Sequence, residues 1–443
     1  MKNKKAIVLL LIVIVIGIVI YHLTIKDNNG APPPPQKKQE VNALSFYHWW
    51  ISPGESAAVN ALIDVFADKY PGVAILPISV AGRDIGGGSF DLFNVIQPMI
   101  MAGEAPDAFQ MNGGYSGGRF LGGNYLEQID NIWEEEGLEE ITPPIVQDIS
   151  RYDGHYYAVP VNIHRTNVVW YNKKLLDENN IDPAFLTSWD AFFKACDTLQ
   201  AAGVAYPVQM AAAWTAGQVF EGIIAGIGID FYEDWINGKV TDPQDPKLLE
   251  AFEIFKKYLS YANPDSPELA WNAATNRVIT GEGAFNIMGD WNNGEFKAAG
   301  LNYGVDYGVF AVPGTRRLYG LGIDTFQRPK GIAHPTNADR WLRVVVSKEG
   351  QDAFNPLKGS ISARLDSDVT KYDNYQKSAI RDFWSAQYMY PTISNGVPVS
   401  LADKIQNTLA DFIQNPDVNK AASEIADFTN SIPEQFTRIW ILE

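Results

Sequence analysis

The chain has 443 residues, 46 % hydrophobic and 12 % aromatic, with 35 Lys and Arg against 52 Asp and Glu, a formal charge of −17. So acidic a chain argues against nucleic acid as a partner, because phosphate binding needs clustered Lys and Arg. A single Cys excludes an intrachain disulfide framework and any Cys-rich zinc module. The apolar content is that of a folded protein of two or three domains, and 12 Trp raise the question of which of them face a ligand.

The N-terminal forty residues read as a separate object. Lys2, Lys4 and Lys5 precede residues 6–25, a stretch without formal charge. As a helix that stretch spans about 30 Å, the thickness of a bilayer core. Residues 1–26 are therefore read as a transmembrane anchor with its basic end inside. The alternative is a cleaved secretory signal, although no A-x-A site follows. Residues 27–42 carry four consecutive prolines, Pro32 to Pro35, and read as a stiff spacer. Six lysines against Asp27 and Glu40 leave this end at +4 and the remainder at −21. A basic anchor on a strongly acidic body points away from anionic lipid as the body's partner.

The body alternates strand and helix signals. Residues 44–47 form a short apolar run; 55–70 carry helical spacing through Ala58, Leu62, Val65 and Phe66 and end at Pro71-Gly72. A second strand over 73–80, a Gly-rich loop over 82–88, a helix near 92–102 and a third strand over 107–110 follow. This order predicts a parallel sheet flanked by helices, with ligands at the loops beyond the strand ends. Strand signals recur at 152–161, 166–171, 284–288 and 308–312. Helices are expected after Ser188, a good N-cap, and over 216–227 and 246–261, with a mostly helical C-terminal third.

Catalytic and metal signatures are weak. Gly114-Tyr115-Ser116-Gly117-Gly118 fits the G-x-S-x-G pattern, but the Gly-broken run after it does not read as the helix a nucleophile elbow needs. It is read as a flexible loop. The five His show no metal-ligand spacing, so no metal and no cofactor are assigned. With 52 acidic residues, a carboxylate pair for glycoside hydrolysis stays open. Cys196 falls on an apolar helical face and reads as a buried small hydrophobe.

The aromatic-polar loops carry more information. A sugar presents apolar C–H faces and a ring of hydroxyls, and a protein meets it with flat aromatic surfaces beside amides, carboxylates and cations. Trp49-Trp50 followed by Glu55, Gln110 to Asn112, Trp214, Trp271 and Asp290-Trp291 have this chemistry. Trp133, Trp189, Trp341 and Trp384 lie on helical patterns and are assigned to the core. Adjacent Trp49 and Trp50 cannot share one face, so the core cannot readily take both.

These stretches, with Ala105-Pro106-Asp107-Ala108-Phe109-Gln110, Tyr156-Tyr157-Ala158-Val159-Pro160 through His164-Arg165, Met288-Gly289-Asp290-Trp291 and Asn355-Pro356-Leu357-Lys358-Gly359-Ser360, occur in an order that resembles family 1 extracellular solute-binding proteins of carbohydrate ABC importers, most closely the glucose-binding branch. The resemblance spans about residues 43–430. It implies an α/β, two-lobed periplasmic-binding-protein fold (type II-like, each lobe a sheet flanked by helices), with 43–155 and 308–360 in the first lobe and 156–307 and 361–443 in the second. It implies a non-enzymatic, extracellular or periplasmic protein that closes on a monosaccharide, glucose or a related hexose, and passes it to permease subunits. By pattern, Trp49, Trp50, Trp214 and Trp271 would stack on the sugar. Glu55, Gln110, Asn112, Asp324, Lys358 and Asn395 would meet its hydroxyls, and His164, Arg165, Asp290 and Trp291 would support the cleft. Asn112 and Asn395 stand where the glucose branch tends to have His, which leaves a related aldohexose, a pentose or a short oligosaccharide open. A membrane-tethered glycoside hydrolase and a sugar sensor or adhesion module are the alternatives.

Overall fold

The computed structural model describes residues 42–80 and 88–432. The expected anchor, the linker except Asn42, and the Gly-rich loop except Gly88 lie outside these residues. Among the described residues no helix is long and apolar enough to cross a membrane. All elements below belong to the unit that starts at Ala43.

A five-stranded sheet runs in the order Ala74–Ser79, Ala43–His48, Ala108–Asn112, Asp324–Gln327, Ala158–Pro160. The first three strands pair in parallel, as the β-α-β-α-β pattern predicts. The last two are antiparallel, so the sheet is mixed. The parallel expectation fails here because the strand beside Ala108–Asn112 is supplied from more than 200 residues further along. The helix Pro53–Lys69 buries Ala58, Leu62 and Phe66 against this sheet's core. There Phe46 stacks on Trp341, with centroids 4.3 Å apart and planes at 18°. Such pairs add about 0.5–1.5 kcal/mol beyond area burial.

Two smaller sheets take up the middle of the chain. Tyr307–Ala311, Val168–Asn172 and Phe285–Ile287 form an antiparallel trio. The strand Tyr307–Ala311, whose residues 308–311 are expected with the first lobe, thus pairs with a strand expected in the second; the chain re-enters the five-stranded sheet only at Asp324. His164–Arg165, Leu318–Gly322 and Tyr388–Pro391 form the other trio. The strand signal at 152–161 breaks into a short hairpin, Arg151–Tyr152 with His155–Tyr156, and the sheet strand Ala158–Pro160. The turn between the hairpin strands is Asp153-Gly154, both at positive φ.

The helix Trp189–Ala201 starts at Ser188, whose hydroxyl accepts from Ala191 N at 3.3 Å, as expected. It contributes Phe192, Phe193 and a buried Cys196 to the core shared with the helices Ala213–Ile227, Pro246–Leu259 and Val399–Gln414. Trp133 and Trp341 are buried and Trp189 packs against the core. Trp384 is a correction: it is 61 % exposed. In the helix Asn374–Ser385 the buried stripe is Tyr375, Ala379, Phe383, and Trp384 stands one step off it. The G-x-S-x-G segment is also a correction, since Tyr115–Gly118 is a helical turn directly after the strand Ala108–Asn112.

Candidate functional site

Trp49 and Trp50 leave the C-terminal end of the strand Ala43–His48, where ligands gather in sheets of this kind. They part company at once. Trp50 packs between Phe354 and Phe326, with centroids 4.7 and 5.9 Å away, and is 1 % exposed. Trp49 turns to a cavity of about 190 Å³. At about 10–15 Å³ per probe-sized water, that is room for on the order of ten waters. Two groups fix this divergence. Gln110 Oε1 accepts from Trp49 N at 3.1 Å, and His48 Nδ1 accepts from Trp50 N at 3.2 Å. Burial lowers His48 to about 4, which leaves its imidazole neutral and able to accept. Gln110 and Trp50, expected against a ligand, are therefore not in the cavity wall.

The cavity collects Trp49, Glu55, Asn112, Asp324, Lys358 and Asn395 among the expected contacts. Trp214 and Trp271, at the starts of the helices Ala213–Ile227 and Trp271–Thr280, join them, as do His164 and Trp291. Arg165 and Asp290 do not line it. Arg165 points away and pairs with Asp382. Asp290 is fully buried behind His164.

Lys358 is the last residue of the helix Lys348–Lys358, where a cation also complements the helix dipole. Its Nζ lies 2.9 Å from Glu55 Oε1, with both residues buried, and 5.6 Å from the Trp291 ring centroid. Gly359 ends that helix at φ +95°, and a Cβ there would lie 2.3 Å from Asp290 O. A glycine is thus required for the lysine to arrive at this place.

Asp324 accepts from Asn112 Nδ2 at 3.0 Å and meets His164 Nε2 at 3.2 Å. His164 Nδ1 bonds Asp290 Oδ1, and Asp290 Oδ2 accepts from Arg165 N at 2.8 Å. Burial alone would lower the His164 imidazole; Asp290 and then Asp324 outweigh it and raise it. Burial pushes Asp324 up, but the bond and charge of His164, with Lys358 and Asn162, bring it below the usual carboxylate range. The result is a fixed Asp–His–Asp chain that presents an ionised Asp324 to the cavity.

Asn395 spends its amide on the fold. Its Nδ2 donates to Gly113 O at 2.9 Å and its Oδ1 accepts from Thr392 Oγ1 at 2.8 Å. Ser116 Oγ donates to Ser394 O at 2.6 Å, which ties the turn Tyr115–Gly118 to the same segment.

Sequence reading missed Glu221. It is 3 % exposed, lines the cavity, and accepts from Ile393 N at 3.0 Å. Burial raises its carboxyl from the ordinary 4.5 to about 8, so it holds a proton at neutral pH. The unfolded chain ionises this group near 4.5 and the folded chain only near 8. Its contribution to stability is therefore full below 4.5 and is lost as pH rises through 8. Glu221→Gln keeps the acceptor for Ile393 N and removes the titration. We expect the variant to match the parent in urea unfolding at pH 4 and to exceed it at pH 8 by roughly 4 kcal/mol. An equal difference at both pH values would contradict this.

The site and the fold together define a solute-binding protein, and comparison with known proteins agrees. Residues 50–352 match the family model for bacterial extracellular solute-binding proteins. An ABC transporter extracellular-binding protein of Pyrococcus horikoshii is 39 % identical over 392 residues, 87 % of either chain. A probable sugar-binding periplasmic protein of Brucella suis is 32 % identical over 78 % of this chain and 80 % of that one. The crystal structure of the bacterial solute receptor AcbH, described for β-D-galactopyranose, superimposes with a TM-score of 0.76 over 88 % of this chain and 98 % of that one. At 17 % identity it speaks for the α/β, two-lobed fold alone. The chain belongs to the bacterial extracellular solute-binding protein family, whose members are binding proteins and not enzymes.

Proposed function

We propose that this chain is the extracellular sugar-binding component of an ABC transporter, and that it takes an aldose ring at the Trp49–Asp324–Lys358 end of the cavity. The observation that carries the reading is this wall itself. The aromatic surfaces of Trp49, Trp271 and Trp214 face the same space as ionised Asp324, the Glu55–Lys358 pair and Asn112. Charge-assisted hydrogen bonds, roughly twice as strong as neutral ones, suit hydroxyls, and the indoles suit C–H faces. The Pyrococcus relative, an ABC transporter extracellular-binding protein, supports transport, and the Brucella relative, a probable sugar-binding periplasmic protein, supports a sugar. Glucose or a related hexose is the ring favoured by the sequence resemblance.

In this reading the five-stranded sheet carries one lobe and the sheet around Val168–Asn172 the other. The trio His164–Arg165, Leu318–Gly322, Tyr388–Pro391 lies at the crossing. Closure on a ring favours the closed form by differential affinity, and a permease then accepts the sugar. An N-terminal anchor would hold the body near that permease. The test is a fluorescence titration of the full-length chain with aldohexoses and aldopentoses. At least one should perturb the indole emission, and Asp324→Ala should weaken it about a hundredfold, the loss of a charged hydrogen bond plus an orphaned His164. Unchanged affinity in Asp324→Ala would refute the assignment.

A further inference from the structure

The cavity is longer than the wall just described. Trp214, Gly217, Gln218 and Glu221 of the helix Ala213–Ile227 all line it. They are spaced i, i+3, i+4, i+7, so they form one face of the helix. Val399, Ala402, Asp403 and Gln406 of the helix Val399–Gln414 line it with the same spacing. Seven residues of helix rise about 10 Å. Two adjacent helix faces of that length make a trough that exceeds one pyranose ring. Only Trp214, at one end of it, belongs to the aromatic and charged wall around Asp324.

The trough is polar and its chemistry is incompletely used. Gln218 is 7 % exposed; its Nε2 donates to Thr166 O at 3.0 Å, and its Oε1 has no protein partner. A buried acceptor left in that state costs about 1–3 kcal/mol, and a hydroxyl donor would satisfy it. The indole Nε1 of Trp214 is likewise without a protein partner. Gly217 keeps the trough open: a Cβ there would meet nothing closer than Gln406 Cγ and Ile393 Cδ1, both at 4.0 Å. The charged groups in this part are Asp91 and Asp403 against Arg119, with Glu221 protonated beside them, a balance that does not favour an anionic ligand.

We propose that the helix faces Trp214–Glu221 and Val399–Gln406 form a second sugar subsite, so that the ligand is a neutral disaccharide or longer chain whose one ring sits at Asp324. This rests on the sugar reading above and names the length of the ligand. Gln218 and Gln406 meet hydroxyls of the second ring, and Gly217 supplies the space it occupies.

Isothermal titration of the full-length chain tests it, with glucose, galactose, mannose and xylose against maltose, cellobiose, lactose, mannobiose and xylobiose. At least one disaccharide should bind about tenfold or more tighter than its own monosaccharides. Gly217→Leu fills the trough and should remove that advantage while leaving monosaccharide affinity within about twofold. Gln406→Ala, a milder change at the other wall, should weaken the same disaccharide about fivefold. Its far-UV spectrum and melting point should match the parent's, which keeps the test valid should Gly217→Leu fold poorly. Monosaccharides binding as tightly as every disaccharide would overturn the second subsite and spare the sugar reading. So would variants that weaken both ligand classes equally, or that leave the disaccharide untouched. Silence from all nine sugars would overturn the sugar reading, and the subsite with it.

Discussion

Lys358→Met is expected to lose about 3–5 kcal/mol of stability together with its sugar affinity. Lys358 is 2 % exposed and its ammonium is 2.9 Å from Glu55 Oε1, also buried. Taking away the cation leaves a carboxylate inside the protein with only Ser52 N, at 3.4 Å, to answer it. A buried pair is weak evidence for net stabilisation, because two desolvation penalties oppose one attraction. The loss from breaking it is large all the same, since the remaining charge is uncompensated. The double variant Glu55→Gln with Lys358→Met separates the two effects. It removes both charges and should regain most of the stability, while binding stays lost because the wall no longer offers a charged donor. Urea unfolding and calorimetric titration of the four chains in the cycle read this directly. A single variant as stable as the parent would refute the pair's buried character.

Asp290→Ala is the second large effect. Asp290 does not line the cavity described above, yet it holds His164 through Nδ1 and the Arg165 amide at 2.8 Å. Its removal leaves the imidazole buried with Asp324 as its one carboxylate partner, and about 3–5 kcal/mol should be lost. The pH dependence has a definite sign. In the parent His164 is raised, so its contribution is full below the ordinary imidazole value of 6.5 and is lost as pH rises through the raised value. The gap between parent and variant should therefore be widest near pH 5.5 and narrow toward pH 8.5. Denaturant unfolding at the two pH values checks it; a gap that widens with pH would contradict the Asp–His–Asp arrangement.

Much of this site was legible because its residues sit at element ends. Trp49, Asn112, Trp271 and Lys358 each start, end or directly follow a helix or strand, and Trp214 is the second residue of one, where the sequence signals of capping and termination are strongest. The adjacency of Trp49 and Trp50 suggested that the core could not take both, yet both are buried in one core cluster, and only Trp49 also borders the cavity. What it lacked was the choice between them, because that depends on Gln110 and on Phe354, more than 300 residues from Trp50. Gln110 shows the same limit. Its residue type suits a sugar hydroxyl, but a backbone amide one strand away takes its oxygen first.

Glu221 was overlooked for a different reason. The helix Ala213–Ile227 reads as a core helix, and a lone acid in it draws no attention. The stripe Trp214, Gly217, Gln218, Glu221 was nevertheless present at helical spacing, and a polar face on an apolar helix is the signal that would have found it. Trp384 is the mirror case, since the spacing of Tyr375, Ala379 and Phe383 already leaves it outside the buried stripe. The mixed sheet could not be read locally. Asp324–Gln327 is a short strand whose place beside Ala108–Asn112 is fixed by long-range pairing and by Asn162, whose side chain accepts from Asp324 N at 3.1 Å.

The central claim is that the cavity walled by Trp49, Asp324 and Lys358 holds a sugar. A crystal structure of the full-length protein with the tightest-binding sugar from the titrations tests it most directly. A ring against the Trp49 or Trp271 indole, with a hydroxyl within hydrogen-bond distance of Asp324, is the expected result. A ring bound elsewhere on the surface, with this cavity holding only water, would contradict it.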